Sequence, residues 1–160
     1  SSKNYARYYI PVKWYANGLT PTSGDFDGDR RADPIVYQAS DGGWFILLSL
    51  YNYQYYLNLQ WGGPSFLPVC GDFDGDRRAD LMAYHAASGY WYILLSRYNY
   101  QRYASLWFGA QGFTPITGDF DGDGYTDLAI YNKNTGYWGI LLSSTGDQNY
   151  IYTKWDGSAP

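Results

Sequence analysis

The ten residues GDFDGDRRAD stand at 24–33, return unchanged at 71–80, and come back as GDFDGDGYTD at 118–127. Both steps are 47 residues, with no insertion between copies. Other landmarks keep the same step: Trp44, Trp91 and Trp138 open WFILLS, WYILLS and WGILLS, and Tyr37, Tyr84 and Tyr131 recur, as do Pro21, Pro68 and Pro115 and Gly42, Gly89 and Gly136. A fixed period in the forties marks a repeat architecture, in which one supersecondary unit cannot bury its apolar face alone and stacking supplies the core. The chain therefore reads as a single repeat domain over 1–160, with units at 15–61, 62–108 and 109–155 and a tail at 156–160.

Each unit reads as four short strands. The first ends near Gly-Asp-Phe, as in TSGDF; the second is PIVYQA, LMAYHA or LAIYNK; the third is the W-x-I-L-L-S run. In the fourth, Leu57, Leu59 and Trp61 share one face and Tyr56, Asn58 and Gln60 the other, the period-two signature of a half-buried strand. The links are too short for helical crossovers, so antiparallel pairing follows. The 20 Tyr, 7 Trp and 7 Phe suit pleated sheet, and no segment has helical periodicity. The fold class is all-β: three 47-residue four-stranded antiparallel blades.

The fourth-strand aromatic recurs at Trp14, Trp61, Phe108 and Trp155, giving four copies of that strand against three of every other element. Residues 5–14, with Tyr9, Ile10, Val12 and Trp14, are thus an orphan fourth-type strand. Pro11 lacks an N–H and fits a sheet edge. This strand can flank its own first unit, fill a gap in the last, or complete a sheet of a second copy. The last option gives a head-to-tail ring or filament.

Glutamate is absent, and 12 of the 15 aspartates lie in the three repeated loops, so the net charge of -4 is a local feature. Asp25, Asp27, Asp29 and Asp33 occupy loop positions 1, 3, 5 and 9, with the Arg31 carbonyl at 7. Asp72, Asp74, Asp76 and Asp80 with the Arg78 carbonyl repeat the set, as do Asp119, Asp121, Asp123 and Asp127 with the Tyr125 carbonyl. Such a set can wrap one hard cation with the six to eight oxygens calcium prefers, and the mutual repulsion of the carboxylates favours a bound cation. Position 6 is Arg30, Arg77 and Gly124, and no Glu stands at position 12, which excludes an EF-hand. Solvated Asp turns are the alternative; three copies with every ligand position intact favour the metal.

With these loops, and most strongly through GDFDGDGYTDLAIYNKNTGYWGILLS, residues 5–157 resemble the calcium-binding FG-GAP/VCBS-type repeats of integrin α-chain β-propellers and of many secreted bacterial proteins. The resemblance implies four-stranded blades, a structural calcium ion between the first and second strands of each, three Ca2+ sites in all, and an extracellular or cell-surface location. A closed propeller takes about four to eight blades, so three blades do not close within one chain.

Catalysis finds little support. His85 matches Gln38 and Asn132 in the other units, the aspartates outside the loops (Asp41, Asp147 and Asp156) do not repeat, and no nucleophile motif or phosphate-binding Gly loop is present. The expectation is no enzyme. A pI near 4.7 argues against nucleic acid, despite the Arg30–Arg31 and Arg77–Arg78 pairs. No 18-residue apolar run suggests a membrane span. The opening residues suit a processed secreted chain or a cytosolic one. Cys70, matched by Ser23 and Thr117, reads as filling a small buried slot. Self-association or adhesion through blade edges is the expected role. The rival is carbohydrate binding at the YNYQ turns, through Tyr51, Asn52 and Tyr53 and through Tyr98, Asn99 and Tyr100, where flat aromatic faces lie beside amides.

Overall fold

The computed structural model describes residues 18–146 and 149–155. Twelve strands form three separate four-stranded antiparallel sheets, each a simple meander, and none closes on itself. The first contains β1 (Leu19–Gly24), β2 (Asp33–Gln38), β3 (Gly43–Leu47) and β4 (Tyr56–Gln60). The second contains β5 (Phe66–Gly71), β6 (Asp80–His85), β7 (Tyr90–Leu94) and β8 (Tyr103–Trp107). The third contains β9 (Thr114–Gly118), β10 (Asp127–Asn132), β11 (Tyr137–Leu141) and β12 (Tyr150–Lys154). The orphan strand expected at 5–14 lies outside the described residues. No helix among those described is long and apolar enough to cross a membrane.

The hairpins close as the turn residues require. Gly42, Gly89 and Gly136 take positive φ after the second strand, and each donates its N–H to the residue four back, Gln38, His85 or Asn132. Gly89 also lies under the following link: a Cβ there would fall 2.3 Å from the Gly109 carbonyl oxygen. The third and fourth strands are joined by one 3-10 turn, Ser49–Tyr51, Ser96–Tyr98 or Ser143–Thr145, followed by a left-handed Asn52, Asn99 or Gly146. The first strand is shorter than its sequence suggests. Asp25 and Phe26 leave β1 because the Asp25 carboxylate folds back to accept the Gly28 and Arg30 N–H groups, each at 2.7 Å.

The core lies between the blades. In β2 and β3, Ile35, Tyr37, Trp44 and Ile46 turn toward the second blade, where they meet Cys70, Ala79, Leu81 and Leu94. In β6 and β7, Met82, Tyr84, Trp91 and Ile93 turn toward the third and meet Leu128, Ile130 and Leu141. Each blade thus has a leading face, given to the next blade, and a trailing face, given to the one before. The Tyr–Trp pair fixes the link between them. Tyr37 packs on Trp44 at 4.9 Å and its hydroxyl donates to the Gly63 carbonyl at 2.9 Å, while Trp44 Nε1 donates to the Trp61 carbonyl at 2.9 Å. Tyr84 and Trp91 repeat this on Ala110 and Phe108.

The first strands stand side by side, β1 against β5 and β5 against β9. Cys70 sits in this inner row and its thiol donates to the Ser23 carbonyl at 2.9 Å, while Thr117 Oγ1 donates to the Cys70 carbonyl at 2.9 Å. Burial pushes the Cys70 thiol up to about 11, which suits a filled slot and a protonated sulfur.

Candidate metal centres

The three Asp loops lie at one end of the blades, between the first and second strands. Their first carboxylate organises the turn. Asp25, Asp72 and Asp119 each accept two backbone N–H groups from their own loop, at positions 4 and 6: Gly28 and Arg30, Gly75 and Arg77, Gly122 and Gly124. Position 6 is left-handed in every copy, with φ of 68° at Arg30, 69° at Arg77 and 90° at Gly124. Only the third loop places there the residue that the conformation favours.

The fourth carboxylate is a clamp, which the sequence did not announce. Asp33, Asp80 and Asp127 are buried, and both oxygens of each accept backbone N–H groups: one from Phe26, Phe73 or Phe120 and one from Ser49, Ser96 or Ser143. The same serine hydroxyls donate to Asp29, Asp76 and Asp123 at 2.9–3.0 Å. The terminal Ser of each W-x-I-L-L-S run recurs at the 47-residue step and was the available signal. Burial raises the Asp33 carboxyl and pushes Asp80 up to about 6, against the N–H groups that favour ionisation.

Carboxylate oxygens converge in each loop. One oxygen apiece from Asp25, Asp27 and Asp29 lies within 4.8 Å of the others, and the same holds for Asp72, Asp74 and Asp80 and for Asp119, Asp121 and Asp127. Each triad can hold a metal ion. The donors are hard and anionic, as calcium requires. A second observation fits a cation: Asp74 Oδ2 is buried without a hydrogen-bond partner. Burial first, and then the neighbouring Asp76 charge, raises the Asp74 carboxyl. The seventh residues, Arg31, Arg78 and Tyr125, donate their N–H to the fifth-position carboxylate at 2.8 Å.

The loops are also where the blades brace one another. Ala79 N–H of the second loop donates to the Asp25 carbonyl of the first, and Thr126 N–H of the third donates to the Asp72 carbonyl of the second. The approach is close enough to require glycine. A Cβ on Gly24 would fall 2.9 Å from Ala79 Cβ, and one on Gly71 would fall 2.5 Å from Thr126 Cγ2. Holding a loop in shape therefore also holds the neighbouring blade.

Residues 72–130 match the FG-GAP-like repeat family and residues 112–153 the FG-GAP repeat family. Residues 72–153 are FG-GAP and FG-GAP-like repeats. No curated protein and no solved structure matches the chain significantly. The FG-GAP assignment covers the second and third loops, and the first repeats the second residue for residue over 24–33.

The turns considered for sugar binding split into two kinds of residue. Tyr51, Asn52, Tyr98 and Asn99 are exposed, whereas Tyr53 and Tyr100 are half-buried in left-handed backbone. The Tyr100 ring stacks on Phe26 at 6.2 Å and its hydroxyl donates to the Ala79 carbonyl at 3.0 Å, so it joins the first two blades. His85 Nδ1 lies 2.7 Å from Ser88 Oγ, inside its own hairpin.

Proposed function

We propose that the protein is a non-catalytic, calcium-stabilised structural protein of the extracellular space or cell surface, and that it self-associates through the open leading face of its third blade. One observation carries the reading. Phe26 of the first loop is 3% exposed beneath the second blade, whereas its counterpart Phe120 is 45% exposed. Ile151 and Trp155, the counterparts of Leu57 and Trp61, are exposed with it. This face has the composition of the two covered leading faces, and the surface built to cover it is the trailing face of another blade. A second copy supplies one. The contact is head to tail and gives a ring or a filament according to whether the rotation closes. Strand donation by residues 5–14 would add a further edge to the same contact.

Calcium supports this role by holding the loops that brace consecutive blades. At millimolar free ion and a dissociation constant of 10 to 100 µM, each site stabilises by about 1.5 to 3 kcal/mol. Sedimentation velocity in calcium tests the association: the wild-type chain is expected to grow with concentration and Trp155→Glu to remain a monomer. A wild-type chain that stays monomeric over the same range sinks the reading.

Carbohydrate binding is a second reading, supported by the exposed Tyr51–Asn52 and Tyr98–Asn99 pairs. It predicts saturable glycan-array binding that falls on Tyr51→Ala and Tyr98→Ala.

A further inference from the structure

The three loops share their carboxylates but not their counter-charges. In the first, the Arg31 guanidinium pairs with Asp29, with Nε at 2.7 Å from Oδ2. In the second, Arg78 binds Asp76 at 2.9 Å and the Ser96 carbonyl at 2.8 Å, and Arg97 stands 3.7 Å from Asp74. Every ion pair among the described residues belongs to these two loops. The third loop, 119–127, contains no Lys or Arg. Its seventh residue is Tyr125, whose ring lies over Gly75 of the preceding loop. Asp123 is left with a backbone N–H and the Ser143 hydroxyl, and Asp121 with a backbone N–H and the Ser144 hydroxyl. Neutral donors orient these carboxylates without cancelling their charge.

We propose that the cation sites are graded: the third loop, at Asp119, Asp121, Asp123 and Asp127, is the principal calcium site, and Arg31 and Arg78 supply part of the cation's charge in the first two. The inference rests on the reading that the loops take calcium, and it concerns how affinity is divided among them. Calcium affinity follows the charge of the ligand set and the rigidity of the site. A guanidinium on one carboxylate lowers the first of these by cancelling a charge, and in the first loop the carboxylate it holds, Asp29, is one of the three that converge. The third loop keeps four uncompensated carboxylates and the glycine at position 6. The first two loops hold their shape partly through their own arginines and depend less on the ion.

Calorimetric titration of the chelator-stripped full chain with calcium alone tests the grading. The wild-type protein is expected to show one site at least tenfold tighter than the rest. Asp121→Asn should remove the tight phase and leave the weaker ones. The double variant Arg31→Gln/Arg78→Gln, which keeps every carboxylate, should tighten the weak phase toward the strong one. Three equivalent wild-type sites, or a tight phase that survives Asp121→Asn, would overturn the grading while leaving calcium binding intact. No heat of binding at any loop would overturn both.

Discussion

The first and third blades carry nearly the same leading face in opposite surroundings. Tyr37, Trp44 and Ile46 are fully buried under the second blade, while Tyr131, Trp138 and Ile140 are only partly covered. The glycines report the same difference from the backbone. A Cβ on Gly24 or Gly71 would strike the next loop, whereas one on Gly118 meets nothing nearer than the Phe120 ring at 3.5 Å. Local sequence therefore sets the shape of a blade, and a neighbour sets its stability. A sheet of four short strands buries little by itself, so the apolar residues of one blade are half of a core that the next blade completes.

The largest effect that separates the two regions is expected from tryptophan truncation. Trp91→Ala should cost about 3–5 kcal/mol in denaturant unfolding, as for a buried aromatic, and Trp138→Ala no more than about 2 kcal/mol in dilute monomer. Equal losses would mean that the third face is already covered. Chelation comes next. EGTA should lower stability by about 1.5 to 3 kcal/mol for each occupied site. Amide exchange should accelerate most over 119–127, the loop that no following blade braces among the described residues. Uniform acceleration in all three loops would erase the distinction between them.

Glycine substitution gives a smaller and cleaner contrast. Gly71→Ala should destabilise by about 1–3 kcal/mol through overpacking against Thr126, while Gly118→Ala should change stability by under about 0.5 kcal/mol. An effect confined to alkaline pH concerns the inner strands. The Cys70 thiol titrates near 11 when folded, against 9.0 as its ordinary value. Between those two values the folded chain holds a proton that the unfolded chain has lost, so stability declines as pH rises through that window. Cys70→Ser should reduce this decline, with the buried Tyr37 and Tyr84 hydroxyls, also raised by burial, keeping the remainder. The native thiol should resist Ellman's reagent at pH 8 while the unfolded chain reacts fully.

The fold was legible wherever the determinants are local and repeated. The 47-residue step, the alternation in Leu57–Leu59–Trp61 and the hairpin glycines give the three sheets, and the Asp spacing gives the converging carboxylates. What escaped depends on contacts across the chain. Asp33, Asp80 and Asp127 have the loop spacing of ligands like the rest, yet each also clamps its loop to the 3-10 turn sixteen residues on through Ser49, Ser96 or Ser143. The spacing offers the Arg31 and Arg78 carbonyls as ligands, and nothing in it shows that the side chains turn back onto Asp29 and Asp76. Tyr53 and Tyr100 resembled an exposed sugar platform because a left-handed tyrosine is uncommon; here the preceding left-handed Asn52 or Asn99 opens the turn, and the Tyr100 ring packs inward on Phe26.

The central claim, that the third blade's open face is completed by another copy, is tested most directly by hydroxyl-radical footprinting at low and high protein concentration in calcium. The account predicts that Phe120, Ile151 and Trp155 lose reactivity as concentration rises while Tyr51 and Tyr98 keep theirs. Unchanged reactivity of Phe120, Ile151 and Trp155 at every concentration would contradict it.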